Sequence, residues 1–211
     1  GILAEALTTR AMRYIREQRF DEAGREAQES LAFARELGYV NVAARSASVL
    51  AHVAALHGEE SELRVHADEV LEVAAANGIT PRAMAVHYAV AFLDLSRGRW
   101  SDVLDRLPTV RAGNDPFLAR LALPDTVEAA VRLERDEEAQ EALDELEAWA
   151  SHGPPWAKPL AASCRALVAG GDEGSAHFEE ALAQREQARP FDLLRIQLLY
   201  GEHLRRERRR V

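Results

Sequence analysis

Glycine recurs every twenty residues through the first half of this chain, at Gly38, Gly58, Gly78 and Gly98. Proline then recurs at spacings of 35, 38 and 36, from Pro81 through Pro116 and Pro154 to Pro190. The segments between are helix-length and rich in Ala, Leu, Val, Glu and Arg. A helix commonly ends on a glycine that takes left-handed backbone at no steric cost. Proline suits a helix's first turn, where its missing N–H has no intrahelical partner. The beat therefore reads helix, turn, helix, turn, with a two-helix unit every 35 to 40 residues. The predicted fold class is all-α: an α-solenoid of stacked helical hairpins, about five and a half repeats long.

Such a scaffold needs an apolar stripe on every helix. The 211 residues are 47% hydrophobic but only 6% aromatic, so the predicted core is built largely of Ala and Leu. A net charge of −9 argues against a nucleic-acid-binding surface, which needs a basic excess. No apolar run approaches the roughly 20 residues that span a bilayer, and no basic-plus-apolar signal segment opens the chain. No membrane association and a cytoplasmic location are the expectation. The single Cys164 excludes an internal disulfide and a cysteine-rich metal site. Its neighbours Ala161, Ala162, Ala166 and Leu167 suggest a small core residue, with a reactive thiol as the alternative.

The units are predicted at about 3–38, 40–78, 81–113, 116–152, 154–188 and 190–211, the last incomplete. In the first, Leu7, Ala11 and Tyr14 share one helical face, the turn is Gln18 to Asp21, and Ala23, Ala27 and Leu31 form the second stripe. Ala47, Ala51 and Ala54, then Leu63, Ala67 and Leu71, repeat the pattern at an offset of 40. Trp100, Val103 and Leu107 take the places of Phe20, Ala23 and Ala27 in the third unit. Tetratricopeptide repeats resemble this order of large, small and aromatic residues, an aromatic at the turn, and paired small residues. Two prolines predict irregularity: Pro108 as an interruption after about two turns of its helix, and Pro124–Asp125 as a break with Asp125 starting a fresh helix. Ala139 and Leu143, then Phe178 and Leu182, continue the packing stripe, and Pro154-Pro155-Trp156 opens the fifth unit. The sixth runs from Pro190 into Arg205, Arg206, Arg208, Arg209 and Arg210, carrying Leu194, Leu198 and Leu204 with no partner helix before Val211. Residues 1–211 therefore read as a single repeat domain cut from a longer protein, with self-association through the uncapped C-terminal end as the alternative.

Catalytic, cofactor and metal signatures are missing from the sequence. No Gly-rich phosphate loop ends in Gly-Lys-Ser/Thr, and there is no His-Glu-x-x-His. The closest histidines, His52 and His57, do not share a helical face, and Ser163 beside Cys164 lacks a nucleophile's strand–turn–helix context. The acidic run from Asp136 to Glu147 reads as a solvated helix face, with a cation site as the alternative, and the arginine cluster as a helix C-terminus, with a nucleic-acid or acidic-partner patch as the alternative. The expectation is a protein that is not an enzyme. What remains is the concave side, which first helices line in stacked hairpins. In the repeat register it holds Arg45, Ser48 and His52 in unit two and Tyr88 and Phe92 in unit three, with Arg120, Trp156 and Arg195 as looser candidates. Aromatic and guanidinium groups together suit a protein partner or a small-molecule effector. The competing reading makes Phe92 and Trp156 core and the arginines merely solubilising.

Five phrases stand out: PDTVEAAVRLER (Pro124 to Arg135), EALDELEAWA (Glu141 to Ala150), PWAKPLAASCRALVAGGD (Pro155 to Asp172), AHFEEAL (Ala176 to Leu182) and RPFDLLRIQLLYGEHLRRERRR (Arg189 to Arg210), the last of them long and not required by helical packing alone. They resemble a stretch of the large LuxR-type, maltose-activator-like transcriptional regulators of actinobacteria. The likeness covers residues 120–211, and the first half more by repeat than by wording. Those regulators carry an ATP-binding module, then a tetratricopeptide-like solenoid, then a helix-turn-helix DNA-binding domain. The resemblance implies that this chain is the solenoid alone: a sensor and interaction domain with neither ATPase activity nor direct DNA binding. A structural adaptor or oligomerisation module without a small-molecule ligand is the other reading.

Overall fold

A computed structural model describes residues 1–78 and 80–208, with the side chains of Thr80 and Pro81 left outside the description. Arg209, Arg210 and Val211 of the terminal basic segment also lie outside the described residues. Eleven α-helices and no strand occur among those described: α1 (Ile2–Arg16), α2 (Phe20–Glu36), α3 (Val40–His57), α4 (Glu60–Asn77), α5 (Thr80–Ser96), α6 (Trp100–Arg111), α7 (Pro116–Arg132), α8 (Asp136–His152), α9 (Ala157–Ala169), α10 (Gly171–Ala183) and α11 (Pro190–Arg208). They are consecutive helical hairpins, an all-α solenoid. The chain divides into two compact units, Gly1–Ala122 and Leu123–Val211.

Most turns share one mechanism. Gly38, Gly58, Gly78 and Gly98 take φ of 66 to 75°, the left-handed region that only glycine adopts freely. Among the described residues two non-glycines stand in the same region, Gln18 at φ 58° and Glu134 at φ 56°. Gln18 lies one twenty-residue beat before Gly38, so the period extends a step further than the glycines mark it. The following residue donates its N–H to the carbonyl five residues back: Arg19 to Tyr14, Tyr39 to Ala34, Glu59 to Ala54, Arg99 to Asp94 and Arg135 to Ala130, at 2.8–2.9 Å. These bonds occupy carbonyls that the helix end would otherwise leave unpaired.

In the first unit each hairpin closes on itself and first helices pack side by side, α1 on α3 and α3 on α5. The stripes read from the sequence are largely buried: Leu7, Ala11, Ala23, Ala27 and Leu31 around α1 and α2, then Ala47, Ala51, Ala54, Leu63 and Ala67 around α3 and α4, with Tyr14 and Leu71 half-buried at their edges. So many alanines let helices approach closely, and a hydroxyl cluster fills the first junction. Thr8 Oγ1 lies 2.6 Å from Ser30 Oγ and 2.8 Å from Ser46 Oγ, and Ser30 donates to the Ala4 carbonyl at 2.7 Å, tying α1, α2 and α3 together. Ion pairs join neighbouring turns. Arg97 meets Glu60 and donates to the Gly58 carbonyl, while Arg99 holds buried Asp94 at 2.6 Å.

Pro108 does not interrupt its helix; α6 continues through it to Arg111. Leu107 and Val110, on either side, are almost fully buried, and that packing outweighs the roughly 3 kcal/mol cost of an internal proline. Pro124 behaves likewise inside α7, between buried Leu123 and Val127. Asp125 starts no new helix, and its carboxylate is instead paired with Arg195 at 2.5 Å.

The second unit packs α8 on α9, α9 on α10, and α11 on both α10 and α9. Leu123, Val127, Leu143 and Leu146 share one core cluster with Ala157, Ala161 and Cys164, and Phe178 anchors another with Ala166, Ile196 and Leu199. Gly174 lies inside α10 because α9 runs against it: a Cβ there would stand 2.7 Å from the Ala166 carbonyl oxygen. On α11 the inward residues are Ile196 and Leu199, whereas Leu194 and Leu198 are 64% and 63% exposed.

Candidate functional site

First helices of the first unit converge on one cleft. Met12, Ile15 and Arg16 come from α1, Ser48, Val49 and His52 from α3, Ala85 and Tyr88 from α5, and Phe117, Leu118 and Leu121 from α7, with Asp115 at its rim. They enclose a cavity of about 90 Å³. The wall of α7 is set locally. Asp115 caps that helix, its Oδ1 accepting the N–H groups of Phe117 at 2.9 Å and Leu118 at 3.2 Å, and Pro116 fills the first helical position. Arg16 then lies over the Phe117 ring, 5.1 Å from its centroid.

His52 is the centre of the floor. Its ring stacks on Tyr88 at 5.7 Å and meets Phe92 at 6.2 Å and Phe20 at 6.4 Å in tilted contacts. Burial among these rings pushes the imidazole pKa down to about 4, so it is neutral around neutral pH. A neutral imidazole among aromatic rings offers a flat, largely apolar surface with one polar edge.

Of the eight residues expected on the concave side, Ser48, His52 and Tyr88 line this cavity. Phe92 stands beside them against His52, half-buried and packed on the core around α3 and α4. Arg45 lies one turn before Ser48, whose hydroxyl donates to the Arg45 carbonyl at 2.8 Å, and pairs with Glu5 of α1. Arg120 is half-buried on α7 and is not among the cavity's lining residues. Trp156 precedes α9 rather than lying within it; it meets Trp149 edge-on at 5.3 Å, with the Arg189 guanidinium 3.8 Å over its ring. Arg195 bridges Asp125 at 2.5 Å and Glu128 at 2.6 Å, all three part of the second unit's interior edge. These two pairs hold Arg195 firmly protonated against its burial.

Met12, Ile15, Phe117 and Leu118 were not expected there. Met12 precedes His52 by 40 residues, the same offset that relates the first two units, so the register itself contained it. The start of α7 was legible at Pro116 as the opening of a unit but not as a wall of the cleft. Cys164 is buried and its thiol is pushed up to about 12, chiefly by burial, which makes it a poor nucleophile. Among the described residues no helix is long and apolar enough to cross a membrane, and no group of three His, Cys, Asp or Glu side chains is placed to hold a metal ion. Comparison with known proteins gives no matching family model and no matching curated sequence.

Proposed function

We propose that this chain is a binding module whose first-unit cleft receives a segment of a protein partner. One observation carries the reading: three successive first helices and the start of α7 bring apolar and aromatic side chains to a single concavity, with a neutral histidine in its floor. Small-molecule sites generally measure about 300–1,000 Å³. A cavity of about 90 Å³ favours instead one apolar anchor side chain of a partner lying along the groove. The likeness of residues 120–211 to LuxR-type regulators supplies a context: a cytoplasmic signal receiver whose partner binds one state of the whole protein better than the other and so shifts their balance.

Selection from a displayed-peptide library, followed by calorimetry of the enriched peptides, tests this. Met12→Trp fills the cavity from its rim, where Met12 is 38% exposed, and leaves the core alone. Binding is expected to weaken about tenfold or more, with unchanged circular dichroism. Peptides that bind the filled cavity as well as the native one remove the cleft from the proposal. A second reading, an adaptor that assembles through its surfaces, is favoured by exposed Ile2, Leu3, Tyr39 and Val40 near α1 and by Leu194 and Leu198 on α11. Light scattering over a concentration series tests that reading; a monomer throughout rejects it.

A further inference from the structure

One end of the groove carries a charge arrangement that its apolar floor does not require. Arg45 stands one turn before Ser48 on α3, and Arg82 one turn before Ala85 on α5, so both lie in line with cavity residues on two helices that pack directly together. The Nε atoms of both are buried and without a hydrogen-bond partner among the described residues. Glu5 pairs with Arg45, and no described carboxylate pairs with Arg82. Two guanidinium groups against one carboxylate leave a single positive charge in excess. Burial lowers both guanidinium pKa values, and repulsion from Arg82 lowers that of Arg45 further. Partly desolvated like charges destabilise one another, and an anion between them reduces that cost.

We infer that Arg45 and Arg82 form a receptor for a carboxylate borne by the occupant of the cleft, one helical turn from the cavity that takes its apolar group. The inference rests on the groove reading above and narrows the ligand class to a carboxylate adjoining an apolar or aromatic group. Carboxylate suits the site for two reasons. Glu5 already shows Arg45 donating to that group, and a monoanion matches the single excess charge, whereas a phosphate dianion exceeds it.

The test uses the whole chain with ¹⁵N-labelled arginine, followed through its Nε–H resonances. The probes are 3-phenylpropionate, its uncharged amide, a blocked dipeptide ending in a free phenylalanine carboxylate, and inorganic phosphate. The acid is expected to move the Arg45 and Arg82 resonances saturably, and the amide to bind about tenfold or more weakly, since charged hydrogen bonds are lost. Arg82→Gln is expected to weaken the acid by the same factor and leave the amide unchanged, with Arg82→Lys recovering part of the loss. A stronger response to the dipeptide identifies a peptide terminus as the source of the carboxylate, and a stronger response to the free acid a small metabolite. Equal affinity of acid and amide overturns the inference, as does a response to phosphate as strong as to the acid. If the amide perturbs His52 and Tyr88 while no probe moves the arginines, the cleft stands and the anion receptor falls. Silence of every probe also rejects the receptor, while the selected peptides still decide the cleft.

Discussion

Gln18 and Glu134 hold left-handed backbone that costs a residue with a Cβ about 1 kcal/mol or more. Each does so because the following N–H, Arg19 or Arg135, must reach the carbonyl five residues back to close the helix. Gln18→Gly and Glu134→Gly are therefore each expected to raise stability by about 0.5–1 kcal/mol in urea denaturation, less whatever a more flexible unfolded chain takes away. His52 sets a pH dependence with a definite sign. Its folded pKa, about 4, lies below the ordinary 6.5, so the unfolded chain binds the proton more readily. Stability contributed by neutral His52 is complete above 6.5 and falls as pH drops from 6.5 towards about 4, by up to about 3 kcal/mol. His66 and His87 are shifted the same way by burial and add to the slope. In His52→Gln the decline over that interval is expected to be visibly shallower; an unchanged slope would take His52 out of the account.

Between helices, contact distance decides which substitutions are tolerated. Gly174 and Gly201 both sit inside helices, where alanine is intrinsically better by about 0.5–1 kcal/mol. Open space surrounds a Cβ at Gly201, so Gly201→Ala is expected to raise the melting temperature. At Gly174 the added carbon meets α9 backbone, and Gly174→Ala is expected to lower it, overpacking costing about 1–3 kcal/mol. The ion pairs of the second unit obey a different rule. Arg195 is the shared partner of Asp125 and Glu128, whose side chains are almost entirely buried. Arg195→Leu removes the nearest cation from two buried carboxylates and is expected to cost about 3–5 kcal/mol, with added Asp125→Asn recovering part of it. Equal stability of Arg195→Leu and wild type in denaturant titration would show the pairs to be solvated in solution. A residue first singled out for a groove thus has a structural use: it fastens α11 to α7, elements 70 positions apart in the chain.

At the scale of the whole molecule, each compact unit has its own core and within it helices pack mainly on neighbouring hairpins, as in other stacked hairpins, with Arg16 over Phe117 as a longer-range contact across the cleft. Residues 1–132, which keep α7 intact, are accordingly expected to be helical and to melt cooperatively on their own; a gradual, non-cooperative loss of ellipticity would contradict this. Helices and turns were largely legible because the preferences that make them are local. Glycine accepts left-handed backbone wherever it stands, alanine and leucine favour helix, and a stripe at the helical period must face inward. The same locality made Pro108 and Pro124 look like breaks, since a local reading weighs the lost hydrogen bond and not the burial of Leu107, Val110, Leu123 and Val127 around it. Of the cleft, Ser48, His52 and Tyr88 followed from register, whereas Phe117 and the partners of Arg45 and Arg195 did not. By itself the sequence determined an all-helical chain, the places where its helices turn, and which face of each is apolar. Only the tertiary structure decided which polar groups meet across helices and which charge is left in excess, because those depend on distances between residues the chain keeps far apart.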